Sequence, residues 1–97
     1  NQARKLVRQI LAHFSDNINF SSHAILEMEK DDLTTIDILN VLKSLDSRIL
    51  DEGELVNGSY RYRLETSFLM VVIAFLQNGK GIIIVTVWDK RKKESKI

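Results

Sequence analysis

An α+β fold, with N-terminal helices packed on one face of an antiparallel sheet of about four strands, is predicted by three features of the sequence. Apolar residues recur at helical spacing in the first half. From Arg48 onward the period shortens to that of strands, and Asn57-Gly58 stands between two such stretches, a strong short signal for a tight hairpin.

The first helix is expected near 2–14, where Ala3, Leu6, Val7, Ile10, Leu11 and Phe14 follow the i, i+3, i+4, i+7 rhythm of one face. Ser15, Asp16 and Asn17 break it. Ser21 or Ser22 can cap a short second helix carrying His23, Ala24, Ile25 and Met28. Thr34 or Thr35 can cap a third; Asp37 stands three residues after Thr34, as in a capping box, and the helix should end near 44–46. Strands are expected near 48–56 and 59–66, then over Phe68 to Leu76, which is apolar at nearly every position and reads as a central strand. Asn78-Gly79-Lys80-Gly81 makes the next turn and Ile82 to Trp88 the last strand, completing an antiparallel meander.

The 97 residues, 44% hydrophobic and 28% charged, supply one core, so a single domain over 1–97 with a basic tail from about 89 to 97 is expected. Without cysteine, and with His13 and His23 as the only histidines, neither a disulfide framework nor a common zinc motif can be written, and no cofactor is expected. The longest apolar run is far short of the ~20 residues a spanning helix needs, and no leader-like segment opens the chain. A cytoplasmic protein without a membrane partner is the expectation. Net charge is only +1, but acids concentrate between 27 and 54 and bases between 90 and 96, a separation that orients a polyanion or a two-faced protein partner.

Strand alternation carries the candidate chemistry. In Ser59-Tyr60-Arg61-Tyr62-Arg63-Leu64, the arginines share one face and Tyr60, Tyr62 and Leu64 the other. If Leu64 faces the helices, Arg61 and Arg63 project from the uncovered face. In the last strand the same logic sets Ile83, Val85 and Val87 toward the helices and Ile84, Thr86 and Trp88 toward the arginines. Guanidinium groups bind phosphate, and an indole stacks on an unpaired base. The competing reading pairs the arginines with Glu52, Glu54 or Glu65 across strands. His23, at the start of a helix, is a candidate proton-transfer group or merely a helix-end residue. There is no phosphate loop, nucleophile elbow or paired-carboxylate motif, so a catalyst built here would use Arg, His and hydroxyl groups, a set suited to metal-independent phosphodiester cleavage.

Phe20-Ser21-Ser22-His23-Ala24-Ile25-Leu26-Glu27-Met28 resembles the opening of a family with the pattern F-S-x-H-A-x-x-R-M, and Val85-Thr86-Val87-Trp88 resembles that family's closing strand. The family is grouped with RelE-like toxins, and the similarity covers about residues 18–90. Arg4-Lys5-Leu6-Val7 and Tyr60-Arg61-Tyr62-Arg63-Leu64 also resemble segments of MqsR toxins. The resemblance implies a RelE-like fold and an endoribonuclease of a toxin–antitoxin system, silenced by a cognate antitoxin or immunity protein. For such an activity the strand-face and helix-end readings above make His23, Arg61, Arg63 and Thr86 the expected catalytic residues, with RNA bound by Trp88, Lys90, Arg91, Lys92 and Lys93. Glu27 stands where the pattern has arginine, Asp31 at another place where arginine is usual, and Trp88 roughly where an MqsR toxin has lysine. These departures favour the alternative of a catalytically inactive RNA- or protein-binding module of the same fold.

Overall fold

The computed structural model, which describes residues 2–13, 15–44, 48–49, 54–56, 59–76 and 80–91, begins with helix α1 (Gln2–His13). The apolar stripe read from the sequence is buried at Val7 and Ile10, with Leu6 and Leu11 packed beside them. Ala3 and Phe14, at the ends of that stripe, lie outside the residues whose side chains are described. A short 3-10 turn over Ser15–Asn17 leads into strand β1 (Ile18–Phe20).

Helix α2 (Ser22–Lys30) is capped by Ser21, whose Oγ accepts the Ala24 N–H at 3.0 Å. It ends in a Schellman arrangement: Leu33 N–H donates to the Met28 carbonyl and Asp32 N–H to that of Glu29. That closure requires a left-handed residue after the cap, and Asp32 supplies it with φ of 58°. Helix α3 (Thr35–Lys43) opens on the expected capping box, with Asp37 N–H donating to Thr34 Oγ1 at 3.2 Å and Thr34 N–H to Asp37 Oδ2 at 2.8 Å. Arg4 ties α1 to the end of α3 by donating to the Ser44 carbonyl at 3.0 Å.

The second half is the sheet. Strands β2 (Arg48–Ile49) and β3 (Glu54–Val56) both pair antiparallel with β4 (Ser59–Glu65), which pairs with β5 (Leu69–Phe75), which pairs with β6 (Ile82–Asp89). The meander is therefore as expected, with its first strand in two short pieces. Asn57-Gly58 and the first half of the next turn, Asn78-Gly79, lie outside the described residues. The purely antiparallel sheet expected from the sequence needs one correction: β1 adds to the outer side of β6 in parallel, Ile18 opposite Ile82 and Phe20 opposite Ile84. The described residues thus form a six-stranded sheet. Gly81 sits where this crossover closes, since a Cβ there would meet Leu76 Cδ1 and, at 3.0 Å, the Asn17 carbonyl oxygen.

The helices lie on one face, α2 against β6 and α3 against β4 and β5. Ala24, Met28, Ile38, Val41 and Leu42 meet Leu64, Val71, Ile73, Ile84 and Val87 in one core. Among the described residues no helix is long and apolar enough to cross a membrane.

Candidate nucleic-acid interface

Opposite the helices, the sheet presents a face built from alternate residues of β4, β5 and β6. Register aligns them in rows: Arg61–Ala74–Ile83, then Arg63–Val72–Thr86, then Glu65–Met70–Trp88. Leu64, Val71 and Val87, the residues interleaved with these, are all in the core, which fixes the rows on the side away from the helices. Adjacent strands are about 4.8 Å apart, so the Arg63 and Thr86 backbones, two strands apart in one row, are roughly 10 Å apart.

The alternation in β6 is not simple. Val72 faces Thr86 while Ile73 faces Ile84, which leaves Val85 as an extra residue in a β-bulge. The expectation that Ile83 and Val85 face the helices is therefore wrong: Ile82, Ile84 and Val87 do, and Ile83 lies on the open face. The bulge shifts the phase by one residue, so Thr86 and Trp88 still join the arginines. Ser21 holds the irregularity from the other side, donating from Oγ to the Val85 carbonyl at 2.9 Å and from N–H to the Ile84 carbonyl.

Arg63 is exposed, whereas Arg61, Thr86 and Trp88 are half-buried. The Arg61 Nε is buried and has no hydrogen-bond acceptor among the described residues. Glu54 stands directly opposite Arg61 in the β3–β4 register. Glu65 is engaged by Lys90, whose Nζ lies 2.9 Å from its Oε2 and also donates to the Thr66 carbonyl at 3.0 Å. His23 is not part of this face. It occupies the first turn of α2, exposed, in the helix layer on the other side of the sheet.

The basic end of the chain divides. Asp89 is the last residue of β6 and is buried; Lys90 and Arg91 follow it and are pinned, while Lys92 and Lys93 lie outside the described residues. Arg91 grips Asp89 with two bonds, Nε to Oδ1 at 3.2 Å and Nη2 to Oδ2 at 3.0 Å. Its guanidinium carbon lies 4.8 Å from the centroid of the Phe68 ring. The hydrogen bond and charge of Asp89, with a contribution from Asp37, raise the Arg91 pKa above its ordinary range. Asp31 accepts the Asp89 N–H through Oδ2 at 3.1 Å, so the carboxylate that departs from the family-like arginine pattern fastens the end of α2 to the end of β6.

Sequence reasoning did not assemble this second group, because Asp31, Phe68 and Asp89 are remote in the chain and carry no shared spacing. Among the described residues no group of acidic or histidine side chains could hold a metal ion. The chain matches no protein-family model, no curated protein and no solved structure.

Proposed function

We propose that this protein acts on RNA through the open face of its sheet, as a metal-independent endoribonuclease of the toxin type. The observation that carries the reading is the row Arg63–Val72–Thr86, with Arg61 and Trp88 in the rows beside it. Arg63 and Arg61 hold the scissile phosphate by charge-assisted hydrogen bonds and oppose the negative charge that grows on it in the transition state. Thr86 orients a phosphate oxygen, and Trp88 offers a ring face for stacking to an unpaired base. The neighbouring ribose 2′-hydroxyl, which RNA itself brings, attacks the phosphorus as the bond to the 5′-oxygen breaks, giving a 2′,3′-cyclic phosphate and a free 5′-hydroxyl, with the protons exchanged with solvent water. Activity of this kind has to be silenced in its own cell, so a protein inhibitor whose acidic groups cover the arginines belongs to the same reading.

A second reading, RNA binding without cleavage, draws on the position of His23. His23 lies in the helix layer across the sheet from Arg63, which supports binding over proton transfer at that face. Incubating the purified protein with a mixed RNA in EDTA separates the two. Discrete products support cleavage, salt-dependent retention of intact RNA supports the binding module, and the absence of both contradicts any action on RNA.

A further inference from the structure

A single strand of RNA has two unlike edges, a charged sugar-phosphate backbone and a row of bases with apolar faces. The open face of the sheet is divided the same way. Its β4 side carries Arg61 and Arg63 in consecutive rows, and the next residue on that side, Glu65, is already bonded by Lys90. The middle, contributed by β5, is apolar throughout: Met70, Val72 and Ala74. Met70 and Ala74 are each 7% exposed and make a floor between longer side chains. The β6 side carries Ile83, Thr86 and Trp88. Arg61, with Glu54 in register beyond it on β3, is followed across the face only by Ala74 and Ile83. Its Nε meets no acceptor among the described residues.

We propose that a single RNA strand lies along the β-strands, with two successive phosphates at the Arg61 and Arg63 rows and its bases turned toward β6. This rests on the reading of the open face as the RNA site, and adds to the scissile phosphate a second one beside it. Spacing sets the direction. Residues two apart on a strand are about 7 Å apart, close to one repeat of an extended nucleotide backbone, so consecutive rows meet consecutive phosphates. A backbone laid across the sheet would pass over Val72 or Ala74, where no side-chain donor faces it. The several N–H donors of a guanidinium let Arg61 steady the scissile phosphate with Arg63 and bind the next one as well. Trp88 lies one row beyond Thr86 on the same strand, beside the floor residue Met70, and stacks on a base that leaves the arginine rows on that side. Bases held in a duplex do not present their faces to such a ring, so the substrate is single-stranded.

Amide NMR titration of the intact protein with a 2′-O-methyl uridine trinucleotide, which cannot be cleaved, tests the proposal. Two further trinucleotides carry a neutral methylphosphonate at one linkage or the other. Wild type should bind the doubly charged trinucleotide about tenfold more tightly than either singly charged one. Arg61→Ala should bind it only as tightly as wild type binds the singly charged pair, with no further loss when one linkage is neutralised. Trp88→Ala should weaken all three alike. Wild-type binding that is indifferent to the loss of one charge would overturn the second phosphate and leave the RNA reading of the face standing. Unchanged affinity in Trp88→Ala would overturn the placement of the bases. Failure of wild type to bind any of the three would overturn the RNA reading as well.

Discussion

Asp32 shows how much of this structure rests on single residues. A left-handed backbone costs a non-glycine residue roughly 1–2 kcal/mol, less for aspartate, whose short polar side chain bonds locally. Asp32→Gly should therefore raise unfolding stability by about 0.5–1 kcal/mol, measured by urea denaturation, provided the Schellman closure at Met28 is kept. A loss of stability would mean that the Asp32 carboxylate contributes more than its backbone costs. Arg91 carries the opposite kind of lesson. Its folded pKa is raised, so its pairing with Asp89 is fully present below the unfolded arginine pKa and is lost only as pH rises through the folded value. Both lie far above neutrality, so this guanidinium adds no slope to stability between about pH 6 and 9. In the proposed reading, Arg63 is the residue on which cleavage depends most. Arg63→Ala should slow RNA cleavage by about two orders of magnitude, or roughly 3 kcal/mol of transition-state stabilisation, with the circular dichroism spectrum unchanged.

At the scale of elements, legibility followed local chemistry. Thr34 and Asp37 announced α3 because a capping box is a fixed spacing of two side chains, and Arg61 and Arg63 could be paired on a face because Leu64 fixed the phase of β4. Strand β6 offered no such reference: Ile82, Ile83, Ile84 and Val85 are all aliphatic and β-branched, so nothing in the chain marks where the bulge falls. Strand β1 was missed for a related reason. Three residues show too little alternation to read, and the partner that stabilises Ile18 lies 64 positions away at Ile82. Ser21 links these features, capping α2 and satisfying the Val85 carbonyl at once. Ser21→Ala should cost about 1–2 kcal/mol in chemical denaturation, at the upper end for an N-cap, and should broaden or shift the amides of Val85 and Thr86. Loss of stability without any change at Val85 and Thr86 would assign Ser21 to the helix alone.

The whole molecule is a sheet with two unlike sides. One is sealed by α2 and α3 over an aliphatic core, and the other shows Arg61, Arg63, Thr86 and Trp88. Two basic residues at the start of the expected tail are tied to the sheet: Lys90 bonds Glu65, and Arg91 bonds Asp89. Sequence alone could not join Asp31, Phe68 and Arg91, because only the return of β6 past the end of α2 brings them together. The family-like motif around His23 and the arginine face occupy opposite sides of the sheet, so they are separable by mutation. The most direct measurement compares wild-type protein with Arg61→Ala/Arg63→Ala in single-turnover cleavage of a mixed RNA in EDTA, both proteins verified as equally folded by thermal unfolding. The wild type should yield discrete products and the double variant should be slower by at least two orders of magnitude. Equal cleavage by the two proteins would contradict the assignment of this face as the place where RNA is held and cut.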